Sequence, residues 1–268
     1  MPLSSIQSEI LRLLASHRDA ESYVAGSTPL NRSEPRMSGD IDIFQDREAR
    51  AAQAADVDSA DLIAHGFEVK WLRREAAFYS ASVARGGETT RLEWAVDSDF
   101  RFFPAVPDAV FGYVLHAVDL ATNKVSAACG RREPRDVVDL LTIHEKILPL
   151  GAAVWATVGK TLGFTPEGII NEIRRVARYA AVDFERLAAQ PPLDPVDIMV
   201  RFRAALAEAE DFVVKMPTEK AGLIFIENGR VVQPDPTQLD SYVTHAGQRR
   251  GHWPGNDEIT RAMMERSL

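Results

Sequence analysis

Three β-like runs, FEVKWLR, AFYSASVA and TTRLEWAVD, follow one another between Phe67 and Asp97, and after Pro107 the apolar pattern turns helical. A chain whose period changes this way pairs strands in its first part and packs helices after them, an α+β arrangement. Gly86-Gly87, between the second and third runs, suits a hairpin turn. Upstream, SSIQSEILRLLASHRD spaces Ile6, Ile10, Leu13 and Leu14 as one helical face, with Ser4 or Ser5 as cap. ESYVAG reads as a short strand ending at Gly26, and Ser27 to Gly39 as loop or a short helical turn. DIDIF alternates polar and apolar side chains, and the Ala-rich stretch after it predicts a helix.

Beyond Pro107 the pattern predicts helices over DAVFGYVLHAVDLATNKVSAACG, EPRDVVDLLTIHEKI, EGIINEIRRVARYAAVDFERLA and PVDIMVRFRAALAEAEDFVVKM. AGLIFIENGRVVQPD predicts a hairpin turning at Asn228-Gly229. The expected layout is an α/β core over 1–106, a helical domain over 107–221, and a β-hairpin with tail over 222–268.

Composition narrows the function classes. Apolar stretches are interrupted by charges too often for a membrane span, and the N-terminus lacks the basic region and cleavage site of a signal. A single cysteine, Cys129, excludes an intramolecular disulfide framework and a Cys-rich zinc site, and points to the cytosol. The net charge of −8 argues against a broadly basic nucleic-acid surface, and no DNA partner is expected. Residues 1–115 hold 12 Lys+Arg against 18 Asp+Glu, so most of the acidic excess lies in the first half. There is no GxxxxGK[ST] and no GxGxxG after a strand, and the six histidines form no HExxH.

Within DIDIF, Asp40 and Asp42 project from one strand face while Ile41 and Ile43 project into the core. Two adjacent carboxylates repel unless a cation lies between them, and such oxygen donors suit Mg²⁺. By itself the pair is an ordinary acidic strand face. Gly26 lets a ligand approach the backbone, and Ser27 and Thr28 offer hydroxyl and N–H groups to a phosphate. Downstream, Lys124 interrupts a mostly apolar helix, and Asp136 and Asp139 lie one helical turn apart after Arg131, Arg132 and Arg135. QRRGHWPG forms a small basic-aromatic patch, suited either to RNA or to packing its tryptophan on the body.

Gly-Ser at a strand end, a loop, and DxD on the next strand resemble the DNA polymerase β-like nucleotidyltransferase superfamily. RMSGDIDIF with the later NKVSAACGRREPRDVVDLL resembles its AbiEii/AbiGii-type toxin branch over roughly residues 20–145. The branch's Arg-x-Ser-x-Asp-x-Asp is matched by Arg36, Ser38, Asp40 and Asp42, and its helical Lys with Arg-Asp-x-x-Asp by Lys124, Arg135, Asp136 and Asp139. Ala25-Gly26 stands where the branch often has Gly-Gly. The resemblance implies a mixed-sheet core flanked by helices, with the helical domain completing the active-site cleft. It implies Mg²⁺ on Asp40 and Asp42 and a third carboxylate on a neighbouring strand, Glu93 first and Asp97 as the alternative. Gly26, Ser27, Thr28, Arg36, Ser38, Arg135 and Asp139 would bind the NTP, Lys124 would meet the triphosphate, and Asp136 would orient Lys124 or act as a base. The implied reaction moves a nucleoside monophosphate to an acceptor such as tRNA, with an antitoxin as partner. Transfer to a small hydroxyl compound and a non-catalytic nucleotide-binding module are the alternatives.

Overall fold

The computed structural model describes residues 3–32, 34–161, 163–255, 259 and 261–265, and the chain divides into two compact units. Met1–Asp99 with Pro104–Leu115 forms the first, and Phe100–Phe103 with His116–Leu268 the second.

In the first unit α1 (Ser5–Leu14) starts at Ser4, whose side chain accepts from the Gln7 backbone while Gln7 reaches back to the Ser4 N–H. β1 (Ser22–Ala25), the four-residue α2 (Ser27–Leu30), β2 (Asp40–Gln45) and α3 (Glu48–Ala64) follow. The three predicted runs form a meander, β3 (Glu68–Glu75), β4 (Phe78–Arg85) and β5 (Glu88–Val96). β6 (Phe100–Arg101) belongs to the second unit, after which β7 (Val106–Asp108) and β8 (Gly112–Val114) return to the first. One seven-stranded mixed sheet results, in the order β3-β4-β5-β2-β1-β8-β7. Only β2–β5 and β1–β8 are parallel. Alternation buries Ile41, Ile43, Leu92 and Trp94 on one face of the central strands.

The β7–β8 hairpin corrects the helix predicted from Asp108 onward. One Asp108 carboxylate oxygen accepts from the Val110 and Phe111 N–H groups at 2.8 and 2.9 Å, closing a turn. Gly112 then takes φ +76, and a Cβ there would collide with the Ala15 carbonyl. These local bonds override the apolar spacing, so α4 (Ala117–Gly130) begins nine residues beyond Asp108, capped by the His116 ring.

The second unit continues with α5 (Pro134–Lys146), α6 (Leu150–Thr157), α7 (Pro166–Val176), α8 (Ala181–Glu185) and α9 (Pro195–Lys215), and a short α10 (Arg261–Glu265) lies near its end. The single helix predicted across EGIINEIRRVARYAAVDFERLA is two. Its break at 177–180 is fixed by Asp183, which accepts from the Ala180 N–H at 2.8 Å and starts α8. β9 (Ile224–Glu227) and β10 (Arg230–Val232) form the hairpin at Asn228-Gly229, and β11 (Val243–His245) adds a third strand. β12 (Gln248–Arg249) pairs with β6. In QRRGHWPG, Trp253 packs 5.8 Å from Phe103, against a core that includes Phe102, Val118, Ile224 and Ile226. Its indole serves packing rather than an open stacking platform. Burial pushes the Cys129 thiol up to about 11, which leaves no thiolate nucleophile at neutral pH. Among the described residues no helix is long and apolar enough to cross a membrane.

Candidate active site

The first cluster is built by strand register. β1 runs antiparallel to β2 with Ala25 opposite Asp42, and β2 runs parallel to β5 with Asp40 opposite Arg91 and Asp42 opposite Glu93. Alternation on both strands then gathers Asp40, Asp42 and Glu93, whose carboxylate oxygens lie within 4.8 Å of one another. Three hard oxygen donors gathered this closely could hold a divalent cation. Asp97 lies one residue beyond β5, where its side chain accepts from the Ser98 N–H at 2.8 Å.

Arg91, two residues before Glu93 and so on the same face of β5, joins this cluster. Its Nη2 donates to Asp40 Oδ2 at 2.8 Å, and its Nε lies 2.9 Å from Glu93 Oε1. The bond to Asp40 above all raises the guanidinium pKa. One cation thus offsets part of the repulsion among three carboxylates. The signal was its position two residues before Glu93. Its partner across the ladder could be read only from the register.

Gly26 sits at φ +69, and a Cβ at that position would fall on the Asp42 carboxylate. The space that sequence reasoning reserved for a ligand beside this glycine is therefore occupied by Asp42 itself. Gly26→Ala both strains the backbone and displaces Asp42, and we expect it to cost about 1–3 kcal/mol of stability. Thermal melting checks this, and a variant as stable as the parent contradicts it.

Between Gly26 and Asp40 the chain is stapled by hydroxyls. Ser27 Oγ and Thr28 Oγ1 lie 2.8 and 3.2 Å from Ser38 Oγ. Thr28 and Ser38 hydroxyls both donate to the Asp40 carbonyl, at 3.0 and 2.8 Å. All three side chains are buried, so Thr28 and Ser38 shape the loop that presents Asp40. Two residues missed in the sequence complete the staple. Asn31 Nδ2 donates to the Ser27 carbonyl at 3.0 Å, and Gln7 Nε2 donates to the Ser38 carbonyl at 3.0 Å. Arg36 is buried, and its Nη1 donates to the Met37 carbonyl at 3.2 Å.

The second cluster lies within the second unit. Lys124 Nζ on α4 is 2.7 Å from Asp139 Oδ2 on α5, both buried. Asp139, one turn beyond Asp136, is the carboxylate that meets this lysine. Asp136 instead accepts from Arg131 with both oxygens, at 2.8 and 2.7 Å, a bidentate pair that raises the arginine's pKa. Arg135 lies 3.8 Å from Glu133 on the half-exposed rim of the turn. The sequence showed Arg131 beside this turn but not its grip on Asp136.

No protein-family model matches the sequence, and no curated protein matches it. Among solved structures the chain is similar to MenT4, a nucleotidyltransferase toxin from Mycobacterium tuberculosis. The TM-score is 0.51 at 16% identity, covering 80% of this chain and 84% of that one. JHP933 from Helicobacter pylori gives a TM-score of 0.49 at 15% identity, covering 78% and 90%. The mixed sheet with its flanking helices is a nucleotidyltransferase-like α+β fold.

Proposed function

We propose that this protein is a Mg²⁺-dependent nucleotidyltransferase of the AbiEii/AbiGii toxin type, which transfers a nucleoside monophosphate from an NTP to an RNA acceptor such as tRNA. The observation that carries the reading is the register that sets Asp40, Asp42 and Glu93 together behind the Gly26-Ser27 turn. These residues would hold the ion, which when bound supplies positive charge to the triphosphate oxygens. An acceptor hydroxyl oxygen attacks the α-phosphorus, the α–β anhydride bond breaks, and pyrophosphate leaves with the electron pair. The acceptor's proton passes to water.

Arg91 has a place in this chemistry because its present partners are the carboxylates assigned to the ion. It holds those carboxylates in position before nucleotide arrives, and its half-exposed guanidinium is free to turn towards a phosphate oxygen. The resemblance assigns Lys124 to the triphosphate, and Asp139 keeps that ammonium oriented within the second unit. A toxin of this type calls for an antitoxin partner, and action in the cytosol is part of the same proposal.

The test is direct. Purified protein is incubated with each α-labelled NTP, Mg²⁺, and separately tRNA, total protein or small hydroxyl metabolites. Label on RNA that requires the divalent ion supports the proposal. Label on a small compound instead moves the acceptor to the antibiotic-modifying type. Label nowhere reduces the protein to a nucleotide-binding module.

A further inference from the structure

A cleft of about 480 Å³ in the second unit has a composition unlike the rest of this acidic chain. Its lining joins the end of α7, the 177–180 break and the first half of α9. Arg174, Arg178 and Arg203 contribute guanidinium groups, with Tyr179, Met199 and Phe202 beside them. Many arginines of this protein are held by carboxylates, among them Arg47 with Glu21, Arg74 with Asp56 and Arg201 with Glu145. Arg178 and Arg203 are exposed, and among the described residues no carboxylate pairs with either. Arg174 meets Glu210 at 2.7 Å, an exposed pair that exchanges partners at little cost.

The segment carrying Arg178 and Tyr179 is tethered to the conspicuous motif at the start of α5. Arg132 donates to the Arg178 carbonyl and lies over the Tyr179 ring, 5.6 Å from its centroid. Burial first, and then the Asp136 carboxylate, pushes the Tyr179 phenol up to about 12, so it remains a neutral hydrogen-bond donor at physiological pH. The cleft thus lies within electrostatic reach of the Arg131–Asp136 pair.

We propose that this cleft binds single-stranded RNA, with Arg178, Arg203 and Arg174 meeting consecutive phosphates and an unstacked base seated against Tyr179 and Met199. The proposal rests on the transferase reading above and deepens it by giving the acceptor a docking surface. Charge complementarity selects a polyanion. A concave, partly apolar floor beside the guanidinium groups selects a strand whose bases are splayed out, since a duplex keeps its base faces stacked. The volume falls in the range of sites that enclose a group of nucleotide size.

The experiment titrates full-length protein into a fluorescently labelled, mixed-sequence oligoribonucleotide of about ten nucleotides, followed by anisotropy at several salt concentrations. Arg178→Glu/Arg203→Glu is expected to weaken binding more than tenfold and to reduce the salt slope by roughly 1.4, the loss of two single-strand phosphate contacts. Tyr179→Ala is expected to weaken it roughly tenfold through lost stacking. Arg178→Lys/Arg203→Lys should retain most of the affinity, and thermal melts confirm that each variant folds. Wild-type protein that binds no oligoribonucleotide, or a charge-reversed variant that binds as well as wild type, overturns the proposal. So does an acidic aromatic peptide that displaces the RNA at lower concentration than unlabelled RNA. The label-transfer assay on the same samples separates the two readings. RNA binding by wild type without transfer to any acceptor removes the enzymatic reading alone, and transfer unaffected by the charge reversal removes this cleft alone.

Discussion

Asp42→Ala is expected to abolish label transfer from NTP, with a loss of at least about 4 kcal/mol of transition-state stabilisation, roughly a thousandfold in kcat. Asp42 stands between Ala25 on β1 and Glu93 on β5, so its carboxylate is the central member of the group. The same substitution should leave the fold intact or slightly firmer in metal-free buffer, because it removes one of three like charges whose oxygens lie within 4.8 Å. Mg²⁺ should raise the melting temperature of the parent and not that of the variant. This second readout separates an ion-holding role from a merely structural one. Transfer that survives Asp42→Ala, or a Mg²⁺-induced shift that persists in it, sinks the assignment. Asp42→Asn keeps the shape and most of the packing while losing the charge, and is expected to behave like the alanine variant in both assays.

The first cluster was legible because period-two alternation and strand register are encoded locally. Asp40 and Asp42 had to share a face, and a strand after Gly86-Gly87 had to carry Glu93 on the same side as Arg91. What remained hidden were bonds across long sequence separation. Gln7 reaches Ser38 from α1, and Arg91 spans from β5 to Asp40, and neither bond leaves a periodic trace. Gly26 was legible as a special backbone position, but its reason was not, since the Asp42 carboxylate lies sixteen residues away behind a loop.

The second unit shows the opposite balance. α6 was not predicted because every one of its residues is buried, and a helix apolar all round carries no one-sided stripe. The β7–β8 hairpin was mistaken for helix because its deciding features are one carboxylate capping two N–H groups and one glycine against a distant carbonyl. Lys124 stood out as a cation within a mostly apolar helix, and the resemblance offered Asp136 to orient it, whereas the structure pairs it with Asp139. Only the packing of α4 on α5 distinguishes Asp139 from Asp136.

Asp58 lies on α3, the Ala-rich helix, and carried no role in the sequence; its removal is expected to be costly to the first unit. It is fully buried on α3, accepts from Arg18 Nη2 with both oxygens at 2.6 and 2.7 Å, and lies 2.8 Å from His17 Nδ1. It also accepts from the Trp94 indole N–H at 2.7 Å. Burial lowers the Arg18 pKa, and Asp58 is the charge that opposes it. Asp58→Ala leaves a buried guanidinium without its carboxylate and an indole N–H without its acceptor. The expected cost is about 3–5 kcal/mol, a large fraction of the roughly 5–15 kcal/mol that holds a domain folded. Urea unfolding measures it, followed by the far-UV circular dichroism of the full chain and by tryptophan fluorescence, to which the buried Trp94 contributes. Asp58→Asn keeps an acceptor for Trp94 and should fall between the alanine variant and the parent. The decisive comparison is the pair Asp58→Ala with Arg18→Met, which removes both charges. If an unpaired cation is the cause, the double variant is more stable than Asp58→Ala alone, because the orphaned charge has gone with its partner. A double variant less stable than the single one places the loss in packing around Trp94 instead.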